Sequence, residues 1–327
     1  MAGPEVRVLH LLGIDDSDTV QVTRLPPQLE YACTGNVEVS EIVDPARVEL
    51  VPLVCGGMSS DAVRTPHIDV VLTAICDADA STRALARAGR IVDQLARPVV
   101  NHPARVAATR RDDVAGALAG IDGLVVPRTV RLAPRRAADV VPAATAAGVE
   151  PPFLVREVGS HGGAGLVLVD GSAASVAALD RFAFDGRELY ATEFVDCRDA
   201  RGHARKHRVL LVDGVVHRRH RITGDGWNLH NRDRAAMGPD DLAAEAAWLL
   251  GDPPLDPAPF AAVHARLGLD VVGVDFGDTP DGRLVLFEAN PCMRVSTDPG
   301  DPPHLAAALA AIRRSITELL VRRGTPS

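Results

Sequence analysis

Two carboxylates and a carboxamide stand out in the C-terminal part of the chain: Asp275, Glu288 thirteen positions later, and Asn290 two beyond that, within GVDFGDTPDGRLVLFEANP. The runs DVVGVDF (270–276) and RLVLFEAN (283–290) read as strands joined by DTPDG, which lets Asp275 and Glu288 point into one space. Asn290 then shares the face of Glu288 through the two-residue strand period. Three hard oxygen donors converging in this way suit a magnesium ion that takes its other ligands from a substrate's phosphates. An apolar strand and a proline bound the group, which sets it apart from solvated turn residues.

A second cluster lies upstream. FLVREV and GLVLV flank Gly159, Ser160, His161, Gly162, Gly163, Ala164 and Gly165. No GK[ST] follows and the next segment is a strand, so this is not a P-loop. A glycine-rich connection between two strands can fold over phosphates with its backbone N–H groups as donors, and Arg156 could bring a guanidinium to the same phosphates. Taken alone, the loop is equally an ordinary surface hairpin that needs glycine to turn. A third stretch, HRRHRITGDGWNLHNRDR, is dense in His and Arg and holds His217, His220, Arg221, Trp227, Asn228, His230 and Asn231. It suits either an anion-binding surface or a solvated basic strand. Its single aromatic argues against a nucleic-acid face.

The elements that must carry these residues follow from apolar runs alternating with Ala-rich stretches of helical length, the pattern of an α/β or α+β fold. VRVLHLL (6–12), IDVVLTAI (68–75) and PVVN (98–101) read as strands, with STRALARAGRIVDQLA (81–96) a helix capped by Ser81. LVVPRTVRL (124–132) and ELYATEFV (188–195) read as further strands, and 13–66 has weak periodicity. ARKHRVLLVDGVVHRRHRI (204–222) turns at Asp213-Gly214, a strong hairpin signal. Helices are expected over 240–250, 260–268 and 305–323.

The 327 residues carry 35 basic and 43 acidic side chains, and Lys206 is the one lysine among 34 arginines. That acidic balance gives no general attraction to nucleic acid or anionic membrane. No stretch approaches a membrane span, and the five cysteines are scattered with no CxxC pair, which together point to the cytoplasm, a reducing compartment and no zinc cage.

In their order along residues 98–295, PVVNHP, VPRTV, FLVREVGSHGGAG, YATEFV, KHRVLLVDGVV and GVDF…LFEANP resemble the ATP-grasp superfamily, and within it the carboxylate–amine ligases of the ribosomal-protein-glutamate-ligase and glutathione-synthetase type. The resemblance implies an N-terminal α/β pre-domain (1–105), a central subdomain with a glycine-rich lid (106–187) and a C-terminal mixed-sheet subdomain with the metal site (188–327). It implies ATP and Mg²⁺ as cofactors, with Mn²⁺ as an alternative, and points to a homodimer.

Residue by residue, Arg128 and Arg156 stand where the family has two phosphate-binding lysines, a change that replaces a point charge with a planar fork. Ser160, His161, Gly162 and Gly163 match the phosphate-covering loop. Glu193, Phe194 and Val195 match the adenine hinge, although an interior strand with one exposed Glu reads similarly. Asp275, Glu288 and Asn290 match the magnesium ligands. Arg208 matches an arginine near the γ-phosphate, and Lys206 shares its strand face. His220, Arg221, Trp227, Asn228, His230 and Arg294 fall where the acceptor substrate is contacted. His161 and His230 are candidates for proton transfer by residue type, and neither is assigned as the base.

The implied reaction is phosphorylation of a small-molecule or peptide carboxylate to an acyl phosphate, which an amine attacks to give an amide, ADP and phosphate. Two alternatives stay open at this point: a kinase-like enzyme that stops at phosphorylation, and a catalytically silent nucleotide-binding protein.

Overall fold

The computed structural model describes residues 3–24, 30–56, 63–163, 165–291, 295 and 301–325. Its N-terminal part is built on β1 (Val6–Gly13), β4 (Val48–Cys55), β5 (Val70–Thr73) and β6 (Val99–Val100), all parallel in the order β4-β1-β5-β6. A small antiparallel pair, β2 (Gln21–Arg24) and β3 (Glu30–Ala32), lies between β1 and β4 in the chain. Val8, Leu9 and Leu11 of β1 are all fully buried, as a parallel strand covered on both faces requires. Strand β4 comes from the stretch with weak periodicity. It contains Pro52 and sits at the sheet edge, where a missing N–H is tolerated.

Helix α1 (Thr82–Leu95) follows β5, but Ser81 does not cap it through its side chain. The cap comes from across the fold: the Asp16 carboxylate accepts the backbone N–H groups of Thr82 and Arg83 at 3.1 and 3.0 Å. The short α2 (Pro103–Ala107) and α3 (Arg111–Leu118) lead to the middle of the chain.

The run 124–132 is two strands rather than one. β7 (Leu124–Val125) joins the C-terminal sheet and β8 (Thr129–Leu132) the central one, with Pro127 between them as the chain crosses over. After α4 (Val140–Ala146), the central sheet adds β9 (Phe153–Glu157), β10 (Val167–Val169) and, past α5 (Ala173–Ala177), β11 (Leu189–Glu193) in the antiparallel order β10-β9-β11-β8. This sheet therefore extends beyond residue 187, where the sequence had placed its boundary, because β11 pairs with both β9 and β8.

The last sheet runs β13-β12-β14-β15-β7. β12 (His203–Val212) and β13 (Val215–Asp225) meet at Asp213 and Gly214, whose φ values of 50° and 81° are both positive, as a two-residue type I′ hairpin demands. α6 (Pro239–Leu249) and α7 (Ala258–Leu267) precede β14 (Val271–Asp278) and β15 (Leu284–Asn290), and α8 (Pro303–Gly324) closes the chain.

Apolar packing divides the molecule unevenly. Leu305, Leu309, Ile312, Ile316, Leu319 and Leu320 of α8 pack against Val6, Val8 and Val70 of the first sheet and against Leu210 and Val212 of the last. Each such side chain contributes about 1.5–3 kcal/mol on burial, enough to join the two sheets firmly. The central sheet instead keeps a core of its own, from Leu132, Val140, Phe153, Val155, Val169 and Leu189 among others. Among the described residues no helix is long and apolar enough to cross a membrane. Cys33, Cys55 and Cys197 are thiols, whereas Cys76 is disulfide-bonded.

Candidate functional site

The carboxylates sit where the strand register puts them. Arg208 of β12 pairs with Asp275 of β14, and Asp275 pairs with Glu288 of β15, so the three form a row across adjacent strands. Directly opposed residues share a sheet face. A bulge follows Asp275, and another follows Arg208 on its β13 side, the kind of irregularity that re-aims side chains beside a site.

Asp275 is wholly buried. Arg208 grips it with two N–H groups, Nε to Oδ1 at 2.5 Å and Nη2 to Oδ2 at 2.7 Å, and Lys206 Nζ lies 2.8 Å from Oδ2. Burial alone would raise the Asp275 carboxyl, but Arg208 and Lys206 outweigh it and hold the group well below the usual carboxylate range. Glu288 shows the same balance: burial raises it, while Arg111, Lys206 and Arg156 together bring it below its ordinary value. Arg111 Nη2 and Asn290 Nδ2 both reach Glu288 Oε1, each at 2.6 Å. Both carboxylates are therefore ionised and held by cationic or amide groups.

These residues open onto a cavity of ≈ 550 Å³ together with Arg156, His161, Gly162 and Gly163 of the loop region and Glu193, Phe194 and Val195 of the expected hinge. Trp227, Asn228 and His230 also line it. The Phe194 and Trp227 rings meet edge to face at 5.7 Å, and Leu286 and Phe287 add apolar lining. The Glu193 carboxylate accepts the Arg128 N–H at 2.8 Å, and the Glu193 N–H donates to the Arg128 carbonyl at 2.9 Å, so the hinge is pinned to the start of β8.

The glycine loop is closed over this cavity. Arg156 Nε donates to Ser160 Oγ at 3.0 Å, and a second N–H of Arg156 reaches the Ser160 carbonyl. Burial and the nearby Arg111 push the Arg156 guanidinium down to about 10, so it remains charged at neutral pH. At the loop tip, His161 Nε2 pairs with Asp77 Oδ2 of the N-terminal part at 2.7 Å. The His230 ring lies so close to Gly163 that a Cβ there would collide with it.

Several expected residues lie elsewhere. The Arg128 guanidinium packs over Gly148 and not into the cavity. His220 extends the row beyond Arg208 but is fully buried beneath it, and burial with the Arg208 and Arg219 charges drives its imidazole well below its ordinary value, leaving it neutral. Arg221 does not line the cavity. Its N–H donates to Glu245, and its charge lies near Arg205 and Asp278. Ser160 serves Arg156 from outside the lining. Arg294 lies outside the described residues. Cys197 lines the cavity, but burial pushes its thiol up to about 12, as suits an inert filler.

Two contributors carried no local sequence signal. Arg111 opens a short helix 177 positions before its partner Glu288. Asp77 follows β5 and meets His161 across 84 positions.

The sequence matches no protein-family profile, and no curated protein matches it. Solved structures do. The VanG D-Ala:D-Ser ligase from Enterococcus faecalis is similar with a TM-score of 0.54 at 12% identity, over 98% of this chain and 100% of that one. A RimK domain ATP-grasp protein from Sphaerobacter thermophilus DSM 20745 is similar with 0.54 at 17%, over 96% and 99%. A D-alanine–D-alanine ligase from Bacillus anthracis gives 0.54 at 13%, over 98% and 97%. With the likeness running over almost the full length of each chain, the architecture of this protein is the ATP-grasp fold.

Proposed function

We propose that the chain is an ATP-dependent carboxylate–amine ligase. The observation that carries this reading is one cavity that joins the Phe194–Trp227 apolar group, the glycine loop and the Arg208–Asp275–Glu288 row. An apolar slot suits a planar base, backbone N–H groups suit phosphates, and fixed charges suit the atoms that transfer. The solved ligases that share its fold support the same reaction class.

The donor set bears on magnesium. Glu288 and Asp275 are ionised and Asn290 adds an amide oxygen, while among the described residues no three His, Cys, Asp or Glu side chains form a metal cluster. A site of this kind cannot cage an ion alone, and it fits one that draws most of its ligands from phosphates. Glu288 and Asn290 would hold it beside Asp275. Bound there, it would neutralise charge on the phosphates.

The chain's own residues do the rest. Lys206 and Arg208 present fixed positive charge to the transferring phosphoryl group, and Arg156 ties the loop down over it. The substrate carboxylate attacks the γ-phosphorus as the bond to ADP breaks. An amine then displaces phosphate from the acyl carbon and loses a proton, giving the amide. The closed loop excludes water that would hydrolyse the acyl phosphate. A panel of amino acids and small acids, assayed for ADP release with Mg²⁺, is expected to show carboxylate-dependent turnover that falls at least a hundredfold in Glu288→Ala. An unchanged rate in that variant overturns the metal assignment. Product masses showing phosphorylation without condensation overturn the ligase step.

A further inference from the structure

Lys206 is the one lysine in a chain of 34 arginines, and its ammonium rests on the most deeply buried carboxylate of the site. Three cationic donors crowd Asp275: Arg208 engages both oxygens and Lys206 shares Oδ2. A divalent ion on Asp275 Oδ2 would have to displace the ammonium, and one on Oδ1 would lie against the Arg208 Nε–H. Either would then sit beside Arg208, with Arg111 and Arg156 across the site, where four cationic side chains already face two carboxylates. Like charges in a partly dehydrated space repel strongly, so a second divalent ion is disfavoured.

The choice of lysine follows from shape. The guanidinium of Arg208 already lies along the Asp275 carboxylate edge. A second planar fork would crowd the Arg208 N–H already on Oδ2 more than a compact point charge does. Lys206 also lines the cavity, so its ammonium faces both the carboxylate and any phosphate that enters.

We propose that Lys206 is a built-in monovalent substitute for one divalent cation. Its ammonium stays on Asp275 and meets the phosphates from there, so the loaded site takes a single divalent ion, on Glu288 and Asn290. The proposal rests on the nucleotide reading above, and its test separates the two.

The full chain is loaded with the non-hydrolysable analogue AMPPNP and titrated with Mn²⁺, and bound ions are counted by electron paramagnetic resonance. The wild type is expected to take one Mn²⁺ per chain with a mononuclear spectrum. Lys206→Ala and Lys206→Gln are expected to take a second, at least tenfold more tightly than the wild type, with the exchange-coupled spectrum of a neighbouring pair. Two ions in the wild type, or one ion in both variants, overturns the proposal and leaves nucleotide binding intact. If the variants do not fold, the wild-type count alone decides. A wild-type chain that takes up no AMPPNP overturns the nucleotide reading, and the proposal with it.

Discussion

The two halves of the cavity are held by different means. On the sheet side, Arg208, Asp275 and Glu288 stand on adjacent strands whose ladders fix their spacing, and the ion pairs between β12 and β14 close around a fully buried carboxylate. On the loop side, the backbone hydrogen bonds of Ser160 and Gly163 stay within the β9–β10 connection, to Glu157 and Leu166, and side chains tie the loop to its surroundings: Arg156 within the central part, Asp77 from the N-terminal part and the His230 ring from beyond β13. The central sheet that carries this loop has its own core, while the other two sheets are joined through α8. The charges of the sheet side are built into the ladder, and the loop is attached by contacts that can break.

The comparison breaks first if the sheet side proves soft. Asp275→Ala leaves Arg208 and Lys206 without their anion and is expected to cost about 3–5 kcal/mol of stability, read as a lower urea midpoint at unchanged slope. The wild type should show the matching acid sensitivity. The folded-state value of Asp275 lies below the unfolded one of about 3.9, so its contribution is fully present above about pH 4 and is lost as pH falls below it. A stability loss near zero in Asp275→Ala would place the rigidity of the site elsewhere.

On the loop side, two glycine variants should lose similar stability and differ in activity. Gly162 and Gly163 both have positive φ, 63° and 67°, so alanine at either strains the backbone by roughly 1–2 kcal/mol. They differ in what a Cβ meets: open space at Gly162, the His230 ring at Gly163. Gly163→Ala is therefore expected to lower kcat/KM for ATP about tenfold or more beyond Gly162→Ala, with the two melting temperatures alike. Equal activity in the two variants would mean that the packing of His230 on the loop does not matter to turnover.

The same contrast explains what could be seen in the sequence. Asp275 and Glu288 were legible because a hairpin spacing and a two-residue period fix them locally, and Asp213-Gly214 was legible because only certain residues take two positive φ values. The run 124–132 was not, since nothing in a short apolar run says that its halves join different sheets. Arg111, Asp77 and Asp16 were invisible for a related reason: each acts on a residue 66 to 177 positions away, and only the assembled fold brings the pair together. Arg128 shows the reverse error. Its place in the VPRTV motif was legible, but the open backbone of Gly148 offers its guanidinium a surface outside the cavity.

The smallest effect is expected at the latch between His161 and Asp77. Burial would raise the Asp77 carboxyl, but His161 and the N–H groups of Ala80 and Asp79 hold it below its usual value, so it meets the loop as an anion. His161 is half exposed, and water screens such a pair to about 1 kcal/mol or less, equivalent to at most about a fivefold change in binding. Asp77→Asn keeps the shape and removes the charge. It is expected to raise KM for ATP two- to fivefold at low salt with kcat unchanged. Where His161 is protonated, about 1 M salt screens charges within about 3 Å, and the wild type should converge on the variant. A KM that stays at the wild-type value at low salt would show that the loop closes without the N-terminal sheet, and the loop side would then depend on Arg156 and His230 alone. A fall in kcat of tenfold or more would show the opposite, that Asp77 and His161 act in the chemical step and the loop is more than a cover.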